Sequence, residues 1–371
     1  MPDITLPPEL RPADGRFGSG PSKVRQQAVD RLAEVAPHLL GTSHRKPAVK
    51  DQVRRIREGL RELFALPAGY EVVLGNGGAT LFWDAAAFSL IEHRSAHAVF
   101  GEFSSKFAKA VAAAPFLQPP HVMESEPGSY PAVKPVDDVD VYALTHSETS
   151  TGVAMPVVRP AFDALVAVDA TSAAGGMAFD PSEADAYYFS PQKGFASEGG
   201  LWVALLSPPA IEVVARIKQS GRSIPAMLDL SIAIENSRSD QTYNTPAIAT
   251  VFLMAEQIEW MLGNGGLAWS SQQCATKADH IYQWAQTSDY ATPFVTDPSA
   301  RSPVVCTIDL DDSVAADEVT TVLRANGVLD TEAYRKLGRN QLRFAVFPAV
   351  DPADVERLTA AVDFVVERLR A

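Results

Sequence analysis

Apolar residues recur along this chain in two rhythms. Runs that are apolar almost without interruption, at residues 71–74, 96–100, 139–145, 164–168, 186–189 and 201–206, read as strands covered on both faces. Stretches with apolar residues at helical spacing lie among them, at 26–40, 49–63, 81–91 and 104–114, with Pro37 interrupting the first. The alternation predicts an α/β fold whose mostly parallel sheet is covered by helices. A further helix is predicted over 247–262. Beyond Gly263-Asn264-Gly265-Gly266 the order becomes helix (269–286), strand (302–309), helix (315–326), strand (342–345) and amphipathic helix (352–369). The expected organisation is an irregular N-terminal arm over 1–15, a large domain over 16–265 and a smaller C-terminal α+β domain over 266–371.

In parallel sheets, ligands gather beyond the carboxyl ends of the strands. Gly77-Gly78-Ala79-Thr80, Ser147-Glu148-Thr149, Asp169 and Gln192-Lys193 all fall there. The glycine turn opens a helix, so its N–H groups would point at an anion and the Thr80 hydroxyl would add a donor. It is neither a dinucleotide fingerprint nor a Walker A loop, because Thr80 stands where a glycine is needed and no Gly-Lys-Ser/Thr follows. Asp169 ends a buried apolar run, where a carboxylate is costly unless paired. It would either meet a cationic ligand or bond locally to Thr171 and Ser172. Lys193 lies among small residues that leave room at its nitrogen. Taken alone it reads as a surface turn lysine, and a Schiff-base role needs a matching cofactor cradle. Phe82, Trp83 and Phe88, on the apolar helix after the glycine turn, read as core, as does Cys306 in a strand-like run. His93 and His97 have helical spacing but no third metal ligand near them.

Composition narrows the partners. The 371 residues carry 32 Lys+Arg against 45 Asp+Glu, a net charge of -13. This argues against a general nucleic-acid binder or a polybasic membrane-surface protein. A few arginines in one cleft can still hold a small anion. Two cysteines without metal-type spacing fit a reducing compartment. With no apolar leader and no apolar run of ~18 residues, the expected location is the cytoplasm.

Taken in order, the glycine turn, Phe103 after Gly101, Ser147-Glu148-Thr149, Asp169 and Gln192-Lys193 resemble the class V aminotransferases, fold-type I enzymes that use pyridoxal 5'-phosphate (PLP). Phe17-Gly18-Ser19-Gly20-Pro21, Gly41-Thr42-Ser43-His44-Arg45 and Asn244-Thr245-Pro246 are similar to segments of the branch that forms phosphoserine. The resemblance spans residues 17–348. It implies Lys193 as the Schiff-base lysine, Asp169 at the pyridinium nitrogen, Phe103 stacked on the ring and Thr149 at the phenolic oxygen side. It implies Ala79, Thr80 and Gln192 at the cofactor phosphate, with Asn244 and Thr245 contributed across a homodimer. His44, Arg45, Arg335, Lys336 and Arg343 would bind the substrate's carboxylate and phosphate.

The implied reaction moves an amino group from L-glutamate to 3-phosphohydroxypyruvate in serine biosynthesis. The four-carbon phosphorylated oxo acid of pyridoxine biosynthesis would be a second substrate. The chain departs from the family in having Thr80 where many members have arginine, Phe103 for tryptophan and Ser147 for asparagine. Tyr334-Arg335-Lys336 stands where a His-Arg pair is usual. Arg45 reads as a stronger substrate ligand than Arg343, and Arg343 as a stronger one than Arg335. A glyoxylate-type class V aminotransferase and a non-catalytic α/β binding protein are the competing readings.

Overall fold

The computed structural model describes residues 4–160 and 163–371. The first three residues of the expected arm, and positions 161 and 162 of the expected large domain, lie outside the described residues. The principal sheet contains β1 (Glu71–Asn76), β2 (Ser95–Val99), β3 (His121–Glu124), β4 (Val141–Thr145), β5 (Leu165–Asp169), β6 (Ala186–Phe189) and β7 (Leu201–Leu206). Their order across the sheet is β1-β7-β6-β5-β4-β2-β3. Strand β7 runs antiparallel to both its neighbours. The other pairings are parallel, so the sheet is mostly parallel as the apolar runs predict. Every residue of β2, β4, β6 and β7 is buried. Edge strand β3 instead alternates half-buried and exposed positions, and its short His-Val-Met-Glu run carries no continuous apolar signal.

Alternation along these strands divides the core in two. On one face, Val72, Leu74, Val166, Val168, Tyr187 and Phe189 pack under α2 (Pro47–Leu63) and α7 (Ile248–Gly263). On the other, Ala143, Ala167, Ala186 and Ala204 are small. They make room for Phe82 and Trp83 of α3 (Ala79–Ser89) and for Phe107 of α4 (Glu102–Ala112). Helix α1 (Gln26–Leu39) continues through Pro37 and ends two residues on, so the proline interrupts only its last turn. Helices α5 (Pro208–Gln219) and α6 (Leu230–Arg238) were not legible as periodic stretches. Their starts do carry caps: Ser207 accepts from Ala210 N ahead of Pro208, and Asp229 accepts from Ser231 N.

Helix α8 (Gly266–Thr287) follows α7 after only Asn264 and Gly265, the latter left-handed at φ +115. A second sheet is formed by β8 (Ala291–Pro293), β9 (Val305–Leu310) and β10 (Gln341–Ala345), all antiparallel. Helices α8, α9 (Ala316–Ala325) and α10 (Pro352–Arg370) surround a separate apolar cluster with it. The N-terminal segment belongs to this cluster, through buried Leu6 and Phe17. Leu6 N donates to Asn326 Oδ1 at 2.8 Å and Ala13 N to Asp354 Oδ1 at 2.7 Å. Leu329 N donates to Gly15 O and Ala345 N to Phe17 O. The segment expected to be an irregular arm is thus a strap along the second sheet, and it continues straight to the cavity described next.

One buried carboxylate fastens the strand ends to α4. Glu148 is fully buried and accepts from Ser104 N at 2.9 Å, Ser104 Oγ at 3.0 Å and Ser150 Oγ at 2.7 Å. A carboxylate at a helix N-terminus also meets the positive end of the helix dipole. Gly101 has to be glycine here, since a Cβ would come within 2.3 Å of Glu148 Cγ. The result is a fixed position for Phe103 in the first turn of α4.

Candidate active site

A cavity of about 330 Å³ opens at the carboxyl ends of β1, β4, β5 and β6. Its walls include Ser19, Gly20 and Pro21 from the strap, Gly78, Ala79, Thr80 and Trp83 from the glycine turn and α3, and Phe103 from α4. Thr145, Ser147, Thr149, Asp169, Thr171, Ser172, Gln192, Lys193, Gly199, Tyr334 and Arg343 complete them. The volume suits a small ligand rather than a polymer.

Lys193 is 6% exposed, so it is no surface lysine. Its Nζ donates to Thr149 Oγ1 at 2.8 Å and to Ser172 Oγ at 2.9 Å, and lies 5.5 Å from the centre of the Phe103 ring. Thr149 and Ser172 are also hydrogen-bonded to each other. Burial pulls the ammonium down to about 8; Asp169 opposes that shift and Arg343 adds to it. The strap holds this lysine from the other side. Ser22 N donates to Gln192 O at 2.9 Å and Ser22 Oγ to Lys193 O at 3.0 Å. Gly20 has φ +142, and a Cβ there would sit 2.7 Å from Lys193 Cε. Only glycine leaves the lysine its space.

Asp169 is buried at the end of β5. Thr171 N donates to its Oδ1 at 3.0 Å, the local bond that one sequence reading anticipated. Trp83 Nε1 donates to Oδ2 at 3.1 Å. Trp83 is therefore a wall of the cavity as well as a core residue, which corrects its assignment to core alone. Odd-numbered residues of β5 face α3, so strand register brings this carboxylate to that indole.

Ala79, Thr80, Phe103, Thr149, Asp169, Gln192, Lys193 and Arg343 are brought together around the cavity. Arg343 lies between Leu342 and Phe344 on β10; those two fill the second core and Arg343 faces the other way. Its Nη1 donates to Thr149 O at 3.2 Å, its guanidinium lies 5.5 Å from the Tyr334 ring centre, and its Nε is buried without a hydrogen-bond partner among the described residues. Burial lowers its affinity for its proton. Arg45, ranked above it from sequence, is exposed on a loop and does not line this cavity. Arg335 is exposed and lines a separate surface depression beside Arg339. Lys336 is ion-paired with Glu102 instead.

His44, Asn244 and Thr245 lie outside the cavity but form a group of their own. Thr245 Oγ1 and His44 Nδ1 are 3.0 Å apart. Asn76, at the end of β1, holds the Asn244 and Thr245 carbonyls at 3.1 Å. Burial, then the charge of Arg45, pulls the His44 imidazole down. Its Nε2 is buried without a partner among the described residues. Both cysteines are buried, and burial pushes the thiol of Cys306 up to about 12 and of Cys274 to about 11. Neither is a reactive thiolate.

Sequence reasoning missed Trp83, Ser172 and Tyr334 as walls of the site, and gave the strap residues Ser19–Ser22 no role. Small residues beside Gly20 are the signal that could have marked the strap.

A buried amine and a carboxylate line one small cavity at strand ends of an α/β sheet, an arrangement suited to carbonyl chemistry. Residues 17–331 match the family described as aminotransferase class-V, and the chain belongs to that family. It is 59% identical to a phosphoserine aminotransferase of Nocardioides sp. over 370 residues, 99% of each chain. A crystal structure of a phosphoserine aminotransferase from Cytophaga hutchinsonii superposes with a TM-score of 0.85 at 26% identity, covering 94% of this chain and 99% of that one. One from Bacillus circulans subsp. alkalophilus gives 0.84 at 20% identity, over 96% and 99%, a likeness of fold.

The amine's titration is directly measurable. A neutral amine attacks a carbonyl and an ammonium does not, so reaction falls about tenfold per pH unit below the midpoint. Labelling of Lys193 by a small aldehyde, trapped with cyanoborohydride, will rise with pH and level off above about 8. Exposed lysines will keep rising toward ~10.4. Peptide mass mapping reads both profiles, and a Lys193 profile that follows the exposed lysines contradicts the burial argument.

Proposed function

We propose that this chain is a PLP-dependent phosphoserine aminotransferase. It transfers the amino group of L-glutamate to 3-phosphohydroxypyruvate and yields O-phospho-L-serine and 2-oxoglutarate. The observation that carries the reading is the buried Lys193 amine, which lines one cavity with the Asp169 carboxylate and whose hold on its proton burial weakens. The phosphorylated substrate is supported by full-length identity of 59% to a relative of that name.

The residues present fit PLP. Lys193 offers an amine to its aldehyde, Asp169 a charge for its ring nitrogen and Phe103 a flat face. Helix α3 begins at Ala79, after Gly78 and with no side-chain cap, so the N–H groups of Ala79 and Thr80 are open to a phosphate. Gln192 lines the same cavity, and its amide NH2 can donate to a phosphate oxygen. Thr80 brings no charge where many class V members have arginine, and the helix N-terminus would take a share of the phosphate charge. Bound there, PLP supplies an electron sink for charge developing at the substrate Cα. Lys193 is the base for the Cα proton, with Thr149 and Ser172 orienting its nitrogen. Arg343 matches a substrate carboxylate, which its planar fork can hold in two bonds.

With glutamate as donor, turnover of 3-phosphohydroxypyruvate will exceed that of glyoxylate, and initial-rate plots will be parallel, as for two separate half-reactions. Lys193→Ala will lose about 10³-fold or more. A preference for glyoxylate would replace this reading with the glyoxylate-type one. No transfer to either would favour the non-catalytic alternative.

We further infer a homodimer in which His44, Arg45, Asn244 and Thr245 complete the cavity of the second subunit. The cluster's support is its composition: exposed Arg45, Asn244 and Thr245 around a buried imidazole nitrogen with no partner among the described residues. The two apolar clusters, around the principal sheet and around β8–β10, are proposed as the large and small domains. No helix among the described residues is long and apolar enough to cross a membrane, and we place the enzyme in the cytoplasm. The four-carbon phosphorylated oxo acid of pyridoxine synthesis is proposed as a second acceptor of the same site. Mixing inactive Lys193→Ala and Arg45→Ala proteins under subunit exchange will restore about one quarter of the sites, because each hybrid dimer holds one intact site. If Arg45 served its own subunit, activity would stay near zero.

A further inference from the structure

Trp83 lies in the second turn of α3, the helix that opens at the glycine turn. The same short segment therefore lines the cavity at Ala79 and Thr80 and returns an indole to the floor beneath Asp169. Trp83 is 4% exposed and packs nearly parallel to Phe107, with ring centres 6.3 Å apart and planes inclined at 17°. Its Nε1 donates to Asp169 Oδ2 at 3.1 Å, while Thr171 N donates to Oδ1 at 3.0 Å. Two donors on different oxygens stop the carboxylate from rotating about its Cβ–Cγ bond. The Thr171 bond comes from the chain immediately after the aspartate and moves with it. The indole is anchored on a different element, so it ties the carboxylate to the helix that begins at the phosphate-type turn. Tyr188, the register partner of Asp169 on β6, is buried on the same face with its hydroxyl close to both Trp83 and Asp169, though it does not reach the hydrogen-bond geometry that the indole has. Among the described residues, Trp83 is the side chain whose donation to this carboxylate is fully formed.

We propose that Trp83 is a positioning residue: its N–H holds the Asp169 carboxylate at the angle from which it keeps the cofactor's ring nitrogen protonated. The inference rests on the PLP reading above. A carboxylate released on one oxygen swings away from the ring nitrogen, which then holds its proton less well. Trp83→Phe keeps a ring against Phe107 and removes the donor. A second variant carries β-(3-benzothienyl)alanine at position 83, which keeps the fused-ring shape and lacks the N–H, so the question is answered even if Phe disturbs folding. Phe107→Leu loosens the packing around the indole and leaves the donor.

Each protein is reconstituted with PLP labelled with ¹⁵N in the ring. The apo-proteins are first compared by denaturation. PLP affinity is then measured by titration, and the ring-nitrogen resonance is recorded by NMR. Loss of the donor will weaken PLP binding about tenfold, as for a hydrogen bond to a charged group. It will also move the resonance toward the position of a neutral pyridine, while Phe107→Leu leaves the resonance where the wild type has it. An unchanged resonance and affinity in both donor-free variants would overturn the proposal. So would an equal displacement in Phe107→Leu, which would reduce Trp83 to packing. Wild-type protein that takes up no PLP would overturn the proposed function itself, and this inference with it.

Discussion

Everything in this molecule is arranged around one costly placement: a lysine amine removed from water yet kept within reach of a ligand. Burial lowers the Lys193 ammonium to about 8, a change worth roughly 3 kcal/mol against its exposed value. The cost is tolerable because the site supplies part of what water would. Thr149 and Ser172 accept from Nζ, the Phe103 ring lies close, and the Asp169 carboxylate faces the same cavity. Each of these groups is itself held by something buried. Phe103 depends on the cap that Glu148 places on α4, and Asp169 on Thr171 and Trp83. The geometry is set by the core, which is how a site becomes rigid enough for directed proton transfer.

The cavity is also where the two apolar clusters meet. The strap, which includes Ile4, follows the second sheet, passes Phe17 into its core and reaches Lys193 through Gly20 and Ser22. Arg343 and Tyr334 reach the same cavity from β10 and the loop before it. Lys336, in that loop, pairs with Glu102 in the first turn of α4, next to Phe103. The strap and this loop therefore report on the packing of one cluster against the other at the point where chemistry is proposed. A net charge of -13 is compatible with an anionic substrate because Lys193 and Arg343 face inward.

Much of this was legible in the sequence, for physical reasons that also explain what was not. Continuous apolar runs mark strands covered on both faces, so β4 to β7 stood out. Edge strand β3 lacks that coverage and gave no signal. Asp169 and Lys193 stood out because a charge among apolar or small residues needs a partner. Trp83 did not, because an aromatic residue on an apolar helix is usually core, and only strand register shows that its N–H meets a carboxylate. Arg343 was underrated because alternation in β10 points it away from its own core, which from sequence looks like exposure. Arg335 and Lys336 are placed by contacts the sequence does not reveal: Glu102 pairs with the lysine, and the arginine is exposed.

The central claim is that the buried Lys193 amine is the group that captures PLP. Protein mixed with PLP should develop a near-visible absorption band that survives gel filtration, and borohydride should fix the cofactor onto the peptide that contains Lys193. The Lys193→Ala protein should show neither. A wild-type protein without the band, or a Lys193→Ala protein that retains it and fixes PLP elsewhere, would contradict the account.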